Sequence, residues 1–174
     1  MGCLMAFTIY EASIPPIIRA LENLSRILDK AVAHTKAEDK SLDTLLEARL
    51  APDMHPFPRQ IQIASDVAKM GAARLAGVEP PSYPDEEKTF PELQQRIAKT
   101  IAYLKGFQPE QFEGAESRTV VLKFPGGEMS FSGRDYLNGF VLPNLYFHIT
   151  TAYALLRHNG INIGKMDYLG PPPA

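Results

Sequence analysis

Cysteine, long apolar runs and concentrated charge are all scarce in this chain. The one cysteine among its 174 residues, Cys3, excludes an intrachain disulfide and any zinc site built from several cysteines. No apolar stretch reaches the roughly 18–20 residues that a membrane-spanning helix needs. The net charge is −2, and the 18 basic residues form no cluster larger than a pair. This distribution argues against sequence-independent binding to nucleic acid.

Targeting signals are also missing from the N-terminal residues. Residues 1–7 have no basic segment and their apolar stretch ends at Thr8, so they do not resemble a signal peptide. Gly2 suggests N-myristoylation, but position 6 is Ala6 rather than Ser or Thr, so the motif is incomplete. We therefore expect a cytoplasmic protein that has no membrane partner.

The chain has the composition of an ordinary globular domain, with 45% hydrophobic and 22% charged residues. Its length suits a single domain over residues 1–174, because a chain of this size buries roughly two-thirds of its unfolded surface. Apolar residues recur at three- and four-residue steps along much of the chain, which indicates helices with one buried face. We predict four long helices and an extended C-terminal tail, at about 7–34, 58–75, 89–106, 133–159 and 161–174.

Several residues predict where these helices begin, bend and end. Pro15 and Pro16 predict a kink or a restart in the first helix, with Ser13 capping the restarted segment. Gly77 is expected to end the second helix, and Thr89 to cap the third. The second helix has a narrow face of mostly small side chains, which predicts close packing in the middle of a bundle: Ile61, Ala64, Ala68, Ala72 and Leu75.

Two smaller elements complete the prediction. Residues 41–50 form a short helix with Ser41 as its cap. The helical period ends at residues 118–132, where two short runs, Val120–Phe124 and Glu128–Phe131, flank Gly126 and Gly127, which predicts a β-hairpin between the third and fourth long helices. Pro143 predicts a kink or a break in the last helix. The fold class is therefore all-α, a four-helix bundle with one short extra helix and a small hairpin.

His148 raises the question of a metal site in the fourth long helix. A second histidine four residues away could bind the same ion, but those positions are Asn144 and Ala152. His158 lies ten residues on, roughly 15 Å along the axis, so it cannot join His148 on one ion. His148 is thus either a hydrogen-bonded structural residue or a single ligand. His55, in a proline-rich turn, is a further possible ligand.

The second long helix has a polar stripe that allows two interpretations. In one, the stripe is a solvated face with an ion pair between Asp66 and Lys69. In the other, Gln62 and Asp66 face His148 across a cleft and form a site for acid–base chemistry or weak metal binding.

Across nearly its whole length the chain resembles the DinB/YfiT-like superfamily of bacterial four-helix proteins, and within it an uncharacterised domain-of-unknown-function branch. The segments that carry the resemblance are Arg49–Met54, Gln60–Asp66 with Ala68 and Lys69, Ala73–Gly77, Leu142–His148, and Leu156–Gly160 leading to Gly164 and Lys165. Metal-binding members use one histidine on the second long helix and a pair on the fourth. Here at most His148 is kept.

The resemblance therefore implies the bundle fold and a homodimer, without a complete three-histidine metal site or another cofactor. The small-residue face of the second helix is compatible with a dimer. We expect a small molecule to bind in a cleft between the second and fourth long helices, near Gln62, Asp66, Asn144 and His148. The alternative is a degenerate hydrolase or thiol transferase with zinc or nickel on His148, Asp66 and His55. An interaction scaffold, with an apolar surface patch and no pocket, is a third possibility.

Overall fold

The computed structural model describes residues 7–172 of the chain; Gly2, Cys3 and Ala6 lie outside them. Helices make up most of this part, in the order expected for a bundle. They are α1 (Ile9–Ala37), α2 (Asp43–Leu46), α3 (Phe57–Ala76), α4 (Phe90–Lys105), α5 (Gly133–Tyr136), α6 (Leu142–His158) and α7 (Lys165–Leu169). A 3₁₀ turn covers Pro109–Phe112, and a π-helical segment covers Leu137–Val141. The predicted all-α bundle is confirmed.

Helix α1 continues through its two prolines, so the predicted restart at Ser13 is wrong. Thr8 caps the helix instead, because its hydroxyl accepts from Glu11 N while the Glu11 carboxylate accepts from Thr8 N. Ser13 lies inside the helix and its hydroxyl donates to Ile9 O over 2.6 Å. The prolines remove two backbone donors. The cap and the buried apolar face together outweigh that loss: Ile14, Ile17, Leu21, Leu24 and Leu28.

Helix α3 occupies the middle of the bundle, where it packs against α6 and α4. The predicted small-residue face is completely buried within the single chain, from Ile61 to Leu75. Gly71 shows how close the packing is, because a Cβ there would lie 2.7 Å from Val141 Cγ1. This face is therefore covered inside the chain, and it does not supply the dimer surface suggested above.

The predicted ends of α3 and α4 are confirmed. Gly77 adopts the left-handed conformation, with φ of 73°, and its amide donates back to Arg74 O. Thr89 and Glu92 form a capping box at the start of α4. The short helix α2 is shorter than predicted, and Leu42 rather than Ser41 is its N-cap residue. The Ser41 hydroxyl, one residue earlier, still accepts from Asp43 N over 3.1 Å.

The last long helix is a continuous helical run whose geometry changes near Pro143. The π-helical segment comes directly before Leu142, and Pro143 lies in the first turn of α6. A wide π turn relieves the clash that a proline ring makes with the carbonyl one turn earlier. The sequence therefore marks the right place, but the structure shows neither a break nor a new helix cap there.

The C-terminal tail is not fully extended, which corrects the prediction for residues 161–174. Residues Lys165–Leu169 form α7, which lies against α1. Asn23 Nδ2 donates to Tyr168 O over 2.9 Å, and the Asp167 carboxylate accepts from Gly164 N over 2.7 Å. Contacts with α1 stabilise this short helix, and no local pattern reveals such contacts. Among residues 7–172, no helix is both long and apolar enough to cross a membrane.

The predicted hairpin is confirmed, with β1 (Thr119–Phe124) antiparallel to β2 (Gly127–Ser132). Val120 and Leu122 are buried against the bundle, and Val121 between them is exposed. The hairpin returns the chain to the bundle at Gly133, where Arg134 N donates to Glu116 O over 3.1 Å. This contact places Gly133 against the backbone of the loop before β1.

We expect Gly133→Ala to lower the free energy of unfolding by at least about 3 kcal/mol, the upper end for overpacking. The reason is that a Cβ at Gly133 would overlap the backbone carbonyl of Ala115, which cannot move as a side chain does. Urea unfolding followed by circular dichroism measures the change.

Gly139→Ala is the matched control, because a Cβ at Gly139 meets nothing within 4 Å. We expect it to change stability by less than about 1 kcal/mol. If Gly133→Ala were as stable as the control, the close approach of the hairpin to residue 133 would be wrong.

Candidate functional site

A buried hydrogen-bond chain joins α6, α3 and the loop before α3. His148 Nδ1 lies 2.7 Å from Gln60 Oε1, and Gln60 Nε2 donates to the backbone carbonyl of His55 over 3.0 Å. Because a carbonyl only accepts, the Gln60 amide nitrogen must face His55, and its oxygen must face the imidazole. His148 Nδ1 therefore donates its proton to Gln60.

This tautomer leaves the lone pair of His148 Nε2 available. Within residues 7–172 that nitrogen makes no hydrogen bond. It is also not fully enclosed by protein atoms, unlike Ser65 Oγ and Arg96 Nε. Burial lowers the pKa of His148, and the nearby His55 and Arg59 lower this pKa further. The imidazole is consequently neutral at pH 7, with a free acceptor. It can accept a hydrogen bond or a proton, or bind a metal ion.

The surroundings of His148 contain few further metal ligands. His55 is exposed in the turn before α3, and Asn144 is half-buried one turn before His148. Over the range 7–172, no three histidine, cysteine, aspartate or glutamate side chains are grouped so that they could bind a metal ion. His148 and His55 are the two histidines that this region offers.

Gln62 and Asp66 have their partners on a different side of α3 from His148. Gln62 Nε2 donates to Glu87 Oε2 over 3.0 Å, and Asp66 Oδ1 lies 3.0 Å from Arg96 Nη2. Gln60 and Gln62 are two residues apart, which places them about 160° apart around a helix. The expectation that Gln62 and Asp66 share one cleft with His148 is therefore corrected: α3 lies between them.

The opposite side of α3 contains a buried ionic cluster centred on Arg96, whose side chain is 1% exposed. Its Nη2 lies 3.0 Å from both Asp66 and Asp85, and its Nη1 lies 3.0 Å from Glu87. The guanidinium also donates to Pro84 O over 2.9 Å. Arg96 of α4 thus binds Asp66 of α3 and three residues of the connector between these helices, Pro84, Asp85 and Glu87.

Lys69 belongs to the same cluster and is also 1% exposed. Its Nζ lies 2.8 Å from Asp66 Oδ1 and 4.1 Å from the centre of the Tyr83 ring. Lys99 approaches the same ring at 4.1 Å. The ion pair of Asp66 and Lys69 predicted from the sequence is present, but Lys69 is buried and only Asp66 keeps part of its contact with solvent.

Two residues of these networks were missed by the sequence reasoning, although a signal for each was available. Gln60 lies one turn before Ala64 on the buried side of α3. Arg96 lies between Leu93 and Thr100 on the buried side of α4. A polar residue within a buried helical stripe needs a partner, and that requirement was the signal. Among the described residues, two buried atoms still have no hydrogen-bond partner: Ser65 Oγ and Arg96 Nε. Nothing in the structure explains why the Ser65 hydroxyl lacks a partner.

We expect Arg96→Met to lower the free energy of unfolding by about 2–4 kcal/mol, because three carboxylates lose their shared cation. This range is below that of fully buried pairs because Asp66 and Asp85 remain partly solvated. Urea unfolding at pH 7 measures the loss. Arg157→Met, at an exposed position, is the control and should change stability by less than about 0.5 kcal/mol. Equal stability of the two variants would contradict the role given to Arg96.

Comparison with known proteins identifies the family. Residues 9–169 match the model of a family described as a domain of unknown function, DUF1993. The crystal structure of a DinB family member protein from Shewanella denitrificans is 41% identical in sequence and superposes with a TM-score of 0.89. The alignment covers 95% of this chain and 94% of that one. Among curated proteins, none matches this chain. The chain belongs to the DUF1993 family and to the DinB-like superfamily of four-helix bundles.

Proposed function

We propose that this protein binds a small neutral molecule between α3 and α6, where a hydrogen-bond donor of the ligand contacts His148 Nε2. The observation that carries this proposal is the buried chain from His148 through Gln60 to the His55 carbonyl. This chain makes the imidazole a fixed acceptor before any ligand arrives. A fixed acceptor costs little to order on binding, which favours affinity.

Charge near His148 decides the class of ligand. Burial lowers the pKa of His148, and the nearby His55 and Arg59 lower it further, so the Nε2 of the unprotonated imidazole accepts rather than donates at pH 7. Arg59 forms an ion pair with Asp85 and donates to Gln62 Oε1 over 3.3 Å, which directs its guanidinium to the ionic side of α3. A neutral donor, such as a hydroxyl or a primary amide, therefore fits Nε2 better than an anion does.

A divalent metal ion is the second candidate for this site. A histidine that binds a metal usually donates its other ring N–H to a fixed acceptor, and His148 does so to Gln60. Asp66, the third ligand suggested by the sequence, forms ion pairs with Lys69 and Arg96 instead. Zinc or nickel would then be bound by His148 and His55, with water completing the coordination. Two protein ligands are fewer than a stable site uses, so weak binding is expected.

Titration with small phenols and primary amides, followed by ¹H–¹⁵N NMR, tests ligand binding. We expect shifts in the His148 ring and the Gln60 amide. His148→Asn should weaken binding roughly tenfold or more, because the buried acceptor is lost. His158→Asn, at an exposed position of the same helix, should leave affinity unchanged.

The pH dependence of this binding has a definite sign. Binding is complete above pH 6.5 and is lost as the pH falls through the lowered pKa of His148, because protonation removes the Nε2 lone pair. Tighter binding of these neutral probes at low pH would show that a protonated His148 donates to the ligand, and it would overturn the proposed acceptor role. A parallel titration with Zn²⁺ distinguishes the metal: stoichiometric binding that His148→Asn and His55→Asn abolish would favour the second candidate and overturn the first.

We also propose that the protein forms a homodimer through the outer face of α6. Phe147 is 55% exposed there, and Leu50 beside it is 43% exposed. Together with Thr150 and Ala154 they line an apolar hollow of about 390 Å³. Phe147 and Ala154 are seven residues apart and lie on one stripe. An antiparallel, twofold pairing of α6 helices would thus place Phe147 of one copy over the small Ala154 position of the other.

Sedimentation velocity at about 10 µM measures this assembly. Because the Phe147 ring is the large aromatic side chain at the proposed interface, the dimer should depend on it. We expect the wild-type chain to sediment as a dimer of 19.3 kDa subunits and Phe147→Asp to sediment as a monomer. Phe124→Asp is the matched control, because Phe124 is 47% exposed on the hairpin, away from α6. A monomeric wild-type chain would refute the dimer, and dissociation by Phe124→Asp would move the interface to the hairpin.

A further inference from the structure

The C-terminal segment forms one wall of a groove that α1 and α6 also line. Helix α7 lies along α1, and the first turns of α6 supply the third wall. The groove has a volume of about 650 Å³, within the range of small-molecule sites. The predicted extended tail gave no indication of this groove, because α7 has to pack against α1 before the wall exists.

Most of the groove is apolar. Pro16 and Ala20 of α1 face Ile149 of α6, and Leu169 contributes from α7. Met166 lies at the opening and is 70% exposed. An unbranched methionine adapts to ligands of different shape, so its exposure at this position suits a binding rim.

One cation lies among these apolar walls. Arg19 Nη2 donates to Leu169 O over 3.0 Å and to Pro171 O over 2.8 Å. Both acceptors are backbone carbonyls, which orient the guanidinium but carry no net charge to neutralise it. The ion pairs formed between residues 7 and 172 do not include Arg19. Among residues 7–172 no carboxylate pairs with this guanidinium, so the described part of the groove combines apolar walls with a positioned cation.

We propose that this groove is a binding site for an amphipathic monocarboxylate, whose hydrocarbon body lies against Ala20, Ile149 and Leu169 and whose carboxylate pairs with Arg19. The site is separate from His148, which does not line the groove. Tyr146 adds a neutral donor at the edge, since burial raises the pKa of its hydroxyl, with a smaller contribution from Tyr168. A fatty acid of medium length has the required combination of a flexible apolar chain and one negative charge.

Binding of octanoate and of 1-octanol, compared by ¹H–¹⁵N NMR titration of the full chain, tests the proposal. The two probes have the same hydrocarbon length, and the alcohol lacks the charge. We expect octanoate to shift residues of α1, α6 and α7 around the groove and to bind roughly tenfold or more tightly than octanol. Equal affinities would overturn the proposal, because Arg19 would then contribute nothing.

Three variants locate the interaction. Arg19→Gln should weaken octanoate roughly tenfold while leaving octanol within about twofold, since the glutamine amide can still donate to a carbonyl. Arg157→Gln is the matched control, because Arg157 also donates to a backbone carbonyl, that of Ile161, but does not line the groove.

Ala20→Phe fills the groove without touching the bonds of the tail, and it should weaken both probes. It therefore remains informative if Arg19→Gln releases α7, which the resonances of Tyr168 would report. Octanoate affinity that survives Ala20→Phe, or that falls as much in Arg157→Gln as in Arg19→Gln, would refute this site.

Discussion

Helix α3 is covered by α6 on one side and by α4 on another, and this double coverage determines the chemistry of the rest of the molecule. Small side chains between Ile61 and Leu75 let both neighbours approach closely. Polar side chains on α3 are thereby removed from water, and burial of such groups is costly unless they are hydrogen-bonded. Gln60, Gln62 and Lys69 all find partners inside the chain as a result.

The two sides of α3 meet this requirement differently. Towards α6 the partners are neutral, and low polarity keeps His148 unprotonated with its Nε2 free. Towards α4 the partners are ions, and Arg96 is shared among three carboxylates. A group that is fully paired has a structural role, whereas a fixed but unpaired acceptor can serve a ligand. The position of α3 therefore separates the neutral pair of His148 and Gln60 from a stabilising ionic cluster that lies on the same helix.

Much of the architecture could be predicted because it depends on local chemistry. The capping box at Thr89 and Glu92, the left-handed Gly77 and the glycine-centred hairpin each follow from neighbouring residues. The predictions are wrong where contacts between residues far apart in the sequence determine the local structure. Pro15 and Pro16 suggested an interruption, but burial of α1 against the bundle keeps it continuous. The sequence predicts an extended tail because the contact that orders α7, between Asn23 and Tyr168, joins residues at opposite ends of the chain.

The candidate site shows the same division between local and distant information. The sequence by itself determined the bundle, the family and the lack of a histidine pair around His148, because these depend on residue type and spacing along one helix. Only the tertiary structure decided that Gln60 is the partner of His148 and that Asp66 belongs to Arg96. Helical periodicity places a side chain on a face, but the partner of that face depends on how separate helices pack. For the same reason the groove at Arg19 exists only once α7 lies against α1.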